Sequence, residues 1–456
     1  MSTRNTTLNM TSGAPLPLIL RFCLPILLGN LMQQLYNMAD AAVVGQFVGT
    51  GALAAVGATG SILFLVIGFV DGMCSGLCIP LARSFGAGEE TTLRRCLAHA
   101  VYLAAFFSLC LTVVTSLLLG WLLQVMNTPA DIFTDAFRYL RIVFLGIPAT
   151  VFYNLTAGIL RALGNSRTPL YFLIFASCLN ILLDLILVLG FRLDVPGVAL
   201  ATVISQFAAA SGCFLYIRRH YPMLRLSREE WVFTPSITLR MLLSGLPMAL
   251  QYSITAVGSV LIQVAINNLG SLLVASVSAA LKIHNIALLP FNTLGAAMAT
   301  WCGQNMGARN PDRIETGVRC GMKIALVYSA VMGVLLFFAG KYMTLLFLSS
   351  ADPNLPLLLE NAQAFIRANC CCYIFLGTLT VYRFSLQGLE YGPVAMVAGF
   401  FELAARSTIA LVFAPVWGFA VIRFANPTAW VAACILLLPA YFTVMKKVRK
   451  KLQAHG

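Results

Sequence analysis

Runs of about 20 consecutive apolar residues recur along the whole of this 456-residue chain, the length of an α-helix that crosses a bilayer. The charge content agrees with that reading. Only 10% of the residues are Asp, Glu, Lys or Arg, against about 25% in soluble domains. A chain of this size could form three soluble domains, but none would be so sparsely charged. The predicted class is an all-α polytopic membrane protein. The opening "MSTRNTTLNMTSGAPLPL" lacks the compact basic, apolar and small-residue order of a cleaved signal peptide, so the first span is expected to stay.

The apolar runs place twelve helices near 16–45, 52–82, 91–123, 132–160, 168–190, 196–218, 236–267, 271–304, 314–340, 357–388, 392–414 and 417–445. The formal charge is +14, and its placement decides its meaning. Arg83, Arg94 and Arg95, Arg161 and Arg167, Arg218, Arg219, Arg225 and Arg228, and Arg309, Arg313 and Arg319 fill the even-numbered connections. Odd connections hold little beyond Arg192 and Lys341. Lys and Arg mark the cytoplasmic side, which puts both termini inside: a tail at 1–15 and a basic tail at 446–456 containing "KKVRKK". The basic balance thus reflects membrane topology, and no nucleic acid is expected as a partner. The thirteen cysteines lie mostly inside apolar runs, without the paired spacing of a disulfide framework or a zinc site. They read as small apolar side chains, and no metal site is expected.

The two sides of the polar segment between helices six and seven resemble each other. "FVGTGALAAVGA" at 47–58 answers "NLGSLLVASVSA" at 268–279, and "ARSFGAGEETTLRRC" at 82–96 answers "GQNMGARNPDRIETG" at 303–317. Gly49 and Gly270, like Gly86 and Gly307, lie 221 positions apart. A six-helix repeat keeps its orientation, so the two copies are parallel. The expected lobes are 16–218 and 236–445, joined by a cytoplasmic connection at 219–235 and facing a central cleft. Two lobes that rock about a cleft make a transporter.

A charge at mid-membrane costs about 3 kcal/mol or more, so ionisable groups inside spans are functional candidates. Asp40 on helix one and Asp184 on helix five both fall in the outer half of the membrane. Asn180 precedes Asp184 by four positions, Tyr36 precedes Asp40 by four, and Thr202 precedes Gln206 by four, each pair on one helix face. Carboxylates ringed by amide, hydroxyl and phenol groups can share a proton or coordinate Na⁺. Tyr36, Gln33, Ser205 and Gln206 are the expected cavity residues of this lobe, with Lys282 and His284 on the other. Pro25 allows a bend below Asp40 and is the expected hinge. Glu402 and Arg406, at i,i+4 spacing, are expected to neutralise each other. Asp71 lies toward the cytoplasmic half of helix two, and Arg423 is expected to snorkel.

The order of "LPILLGNLMQQLYNMADAAVVGQFVG", "ARSFGAGE", "LRALGNSRTP", "CLNILLD" and "GQNMGARN" resembles the multidrug and toxic compound extrusion (MATE) family, from about Pro17 to Lys447. The resemblance implies cation-driven export of organic, often cationic, compounds. In the family's DinF-like branch it implies a coupling site at Asp40, Asn180 and Asp184, joined by Thr202 and by Asn154 of helix four. Another branch uses carboxylates on helices seven and ten. This chain departs there, since "LPMALQYSITAVG" and "FIRANCCCYIFLG" hold none. The combined expectation is a monomeric antiporter of the bacterial cytoplasmic membrane that exports amphipathic organic cations. It is coupled to H⁺ in preference to Na⁺ and needs no cofactor or catalytic residue. The alternative is a flippase of lipid-linked precursors from the same superfamily, which would need a basic cavity for pyrophosphate. The four scattered histidines form no cluster of the kind a membrane-embedded enzyme would need.

Overall fold

The computed structural model describes residues 7–126, 128–348 and 353–453; the far ends of both expected tails lie outside them. Every regular element among the described residues is helical. Among the described residues, ten helices are long and apolar enough to cross a bilayer: α1 (Pro15–Val48), α2 (Gly60–Ala87), α3 (Glu90–Val125), α5 (Arg167–Gly190), α6 (Asp194–His220), α7 (Pro235–Asn267), α8 (Ser271–Gly307), α9 (Pro311–Phe347), α11 (Gly392–Trp417) and α12 (Ala425–Gln453). Two further spans are bent by 46° each: α4 joins Ala130–Leu145 to Ile147–Ala162, and α10 joins Leu355–Cys370 to Tyr373–Gly388. The total is the expected twelve. The bend in α4 falls at Gly146, where any side chain would collide with Val203 of α6. A small residue there lets the two helices close up.

The sequence repeat reappears in the backbone. Gly49 and Gly270 have φ of 125° and 102°, which L side chains rarely adopt. The turn after α4 places Gly164 at φ 86°, and its counterpart after α10 places Glu390 at φ 67°. The following N–H closes each turn, Asn165 onto the Leu160 carbonyl at 2.8 Å and Tyr391 onto the Leu386 carbonyl at 2.9 Å.

Two compact units result. One holds Leu24–Tyr252 with the residues leading up to Met10; the other holds Thr11–Cys23 and Ser253–Gly456. Lobes of 16–218 and 236–445 would divide at the 219–235 connection, whereas these borders fall inside α1 and α7. Packing accounts for the difference. Gly72 and Gly76 of α2 bring it onto the first half of α7, where a Cβ on Gly72 would sit 2.7 Å from the Met248 carbonyl. The connection is fastened to the same unit. Arg94 Nε meets Glu230 Oε1 at 2.9 Å, Tyr102 donates to the Trp231 carbonyl at 2.9 Å, and the Thr234 N–H donates to His99 Nε2 at 2.9 Å. Glu230 also closes a capping box with Ser227, and the Ser227 hydroxyl is the main cause holding its carboxyl below the ordinary range. In the second unit, Arg313 Nη1 donates to the Gly13 carbonyl at 2.8 Å.

Candidate functional site

The two carboxylates singled out in the sequence meet in the first unit. Asp40 lies just before a π-helical turn of α1, Val44–Val48, and Asp184 two residues before another in α5, Ile186–Gly190. Such turns widen a helix locally and recur at functional sites. The Asp40 and Asp184 side chains are close neighbours. Thr202 of α6 is within reach of Asp40, and Asn180 Nδ2 donates to Thr202 Oγ1 at 3.4 Å. Asp184 is 0% and Asn180 2% exposed, while Asp40 is half-buried.

What these groups lack is donors. Asp40 Oδ1, Asn180 Oδ1 and both oxygens of Asp184 are buried without a protein hydrogen-bond donor. Two carboxylates so placed cannot both stay ionised cheaply, and a proton held between them turns one into a donor for the other. A set made only of carboxylate, amide and hydroxyl oxygens also suits a hard monovalent cation. Among the described residues no group of three or more His, Cys, Asp and Glu could hold a metal ion.

A second polar chain adjoins this pair. The Tyr36 phenol is within reach of Gln33 and Gln206, and the Gln206 carbonyl accepts from Thr150 Oγ1 at 2.5 Å. Ser205 of α6 is 3% exposed. Tyr139 of α4 lies in electrostatic range of both carboxylates. Asn154 goes elsewhere. Its Nδ2 donates to Asp71 Oδ1 at 2.6 Å, with Arg161 also in range. The second half of α4 packs on α2, and this contact turns Asn154 toward Asp71 instead of the Asp40–Asp184 pair.

In the second unit the expected cavity pair parts. Lys282 is exposed, its ammonium 5.1 Å from the centre of the Phe347 ring. His284 is 5% exposed, with Nδ1 3.0 Å from the Tyr373 hydroxyl and its ring stacked on Trp430. It is a core histidine of this unit. The expected Glu402–Arg406 pair proves to be a triad. Glu402 Oε1 pairs with Arg383 Nη2, and Glu402 Oε2 lies 3.5 Å from Arg406 Nη2. Arg383, Thr150 and Tyr139 were missed in the sequence, because the groups they interact with (Glu402, Gln206 and the carboxylate pair) lie on other helices. Arg423 turns its Nε onto the Ala420 carbonyl at 3.2 Å.

Comparison with known proteins supplies the family. The chain matches the MatE family over 25–186 and 247–413. "Probable multidrug resistance protein YpnP" of Bacillus subtilis is 29% identical over 390 residues, 85% of each chain. "DNA damage-inducible protein F" of Escherichia coli is 26% identical over 385 residues, 81% of this chain and 79% of that one. A solved multidrug resistance MATE family transporter of the MOP superfamily superposes with a TM-score of 0.89 at 21% identity, covering 98% of this chain and 99% of that one. Both halves of the repeat are matched, in order, and the chain belongs to the MatE family, the multidrug and toxic compound extrusion transporters.

Proposed function

We propose that this protein is a cation-coupled antiporter that exports amphipathic organic cations across a bacterial cytoplasmic membrane, with Asp40 and Asp184 as its coupling pair. One observation carries the reading: four buried oxygens of Asp40, Asn180 and Asp184 stand together on α1 and α5 without donors. Such a group takes up a proton or a cation in one state of a cycle and releases it in another. The relatives named for multidrug resistance support the substrate class. Tyr36, Gln33 and Gln206 supply polar contacts for a substrate beside the pair, and aromatic surfaces suit flat cations. H⁺ is favoured over Na⁺, because two close carboxylates already form a one-proton site. Both lobes are proposed to have cytoplasmic connections at the even-numbered positions, with Pro25 as the hinge of α1.

The deciding experiment is dye transport in proteoliposomes with a pH gradient and a sodium gradient imposed separately. Uptake of an ethidium-like dye driven by the pH gradient alone, and lost in Asp40→Asn, is expected. Transport that follows neither gradient would sink the antiporter reading.

A further inference from the structure

We infer that the second unit contains a buried site for one small monoanion, a halide or a carboxylate, at Arg406 beside Glu402 and Arg383. The three side chains are closed off together: Arg383 is 6%, Glu402 3% and Arg406 5% exposed. Two guanidinium groups share one carboxylate. Arg406 is the incompletely matched member. Its Nη2 lies 3.5 Å from Glu402, and its Nε and Nη1 are buried with no acceptor. An isolated cation in a span is expensive and is ordinarily paired. A planar fork with free N–H groups matches a carboxylate or a halide.

The surroundings set the size and the sign. Gly258 of α7 is the floor under Arg406: a Cβ there would sit 2.9 Å from Arg406 Cδ and 3.2 Å from Nη1. Leu403 is apolar and adjacent, and His284 lies in electrostatic range. The close Gly258 and Leu403 contacts limit a ligand to a compact one, and the unmatched N–H groups of Arg406 call for an anion. The repeat gives the site a counterpart. Arg406 precedes the π-helical turn Thr408–Phe413 of α11 by two residues, as Asp184 precedes Ile186–Gly190 of α5 by two. The first unit places a carboxylate before its π turn, and the second places a guanidinium there.

The test uses the full-length protein purified in detergent and reads its thermal unfolding midpoint. Chloride, and separately acetate, are titrated against sodium sulfate at constant ionic strength. A saturable rise of about 2 °C is expected for wild type, because a ligand that binds only the folded state stabilises it. Arg406→Gln should lose the rise. Gly258→Ala keeps every charge and puts a good helix former in α7, yet it displaces the guanidinium. It should weaken the apparent affinity roughly tenfold, and it keeps the inference testable if Arg406→Gln does not fold. A second arm identifies the source of the anion, by comparing transport of a xanthene dye bearing a free carboxylate with that of its methyl ester. Selective loss of the acid in Gly258→Ala assigns the site to a substrate carboxylate. Equal transport of both dyes, with the chloride rise intact, assigns it to an inorganic anion. The inference is overturned if wild type shows no rise, or if both variants show the same rise. The melting readout requires no transport, so its failure is separate from failure of the efflux reading.

Discussion

At the scale of single residues, burial and partners separate the charges held in ion pairs, such as Glu402, from the donor-poor Asp40–Asp184 pair proposed for coupling. Asp40→Asn preserves size and most hydrogen-bonding capacity while fixing the neutral state. It should insert and fold normally, since removing a buried charge relieves a desolvation cost, yet lose gradient-driven export. Asp184→Asn should be similarly impaired, and the double variant little worse than the poorer single one, because a proton-sharing pair titrates as a unit. Dye resistance in cells lacking other pumps, with expression measured in parallel, reads this out. Wild-type resistance from well-expressed Asp40→Asn would make the aspartate a structural residue. Glu402→Gln should behave in the opposite way. It leaves Arg383 and Arg406 buried beside each other without their carboxylate, which should cost about 3–5 kcal/mol of stability and show as poor membrane yield. The sequence made Asp40, Asn180, Asp184 and Thr202 legible because polar groups at fixed spacing stand out in apolar runs. It could not distribute the partners. Asn154 is equally polar in sequence, and only the packing of α4 on α2 gives it to Asp71 at 2.6 Å.

Whole helices were the most legible feature, and their irregularities the least. A run of apolar residues predicts a span because the backbone in lipid must satisfy its own hydrogen bonds. That rule recovered all twelve spans, with some ends displaced by about two turns of helix, as at Gly60–Ala87 and Ala425–Gln453 against the expected 52–82 and 417–445. The π-helical turns that follow Asp40, Asp184 and Arg406 carry no residue signature, since they arise from one extra residue accommodated between packed neighbours. Proline is different: it announces itself. Pro25 stands two residues past the border of the units within α1, and Pro25→Ala should restore one helix hydrogen bond. The expected result is a protein at least as stable thermally but several-fold slower in transport; an unchanged rate would show that Pro25 is not a hinge. The connection before α7 offers a pH-dependent element. Glu230 is held below its ordinary range by Ser227 and then Arg94, so its contribution is present above the free value of 4.5. That contribution is lost as pH falls through the lower folded value. Proteolytic cleavage within 219–235 should therefore be slow at neutral pH and accelerate under strongly acidic conditions. Glu230→Gln should be cleaved faster already at neutral pH.

Across the whole molecule, the repeat ties the orientation of one half to that of the other. Gly49 and Gly270, and Gly88 and Arg309, take matching left-handed conformations 221 positions apart. In the proposed topology the turns they occupy recur on the same two faces of the membrane. The arginine-rich turns after α2, α4, α6 and α8 are proposed to share the cytoplasmic face, since positive charge is retained on that side. The depth assigned to Asp40 and Asp184 rests on this orientation, because α1 and α5 reach their π turns only after traversing most of the bilayer from that face. Single cysteines at Glu89, Glu229 and Thr316, all exposed, should be inaccessible to a membrane-impermeant maleimide in intact cells and should react in inverted vesicles. Cysteines at Arg192 and Asn268, also exposed, should react in intact cells. The thirteen native thiols are replaced first, which the absence of any required thiol pairing permits. External labelling at Glu229 would invert the protein, place the carboxylate pair near the inner leaflet, and leave a gradient-driven exporter without its outward-facing proton site. Labelling of Glu229 and Asn268 from the same side would be incompatible with α7 as a span and would break the repeat itself.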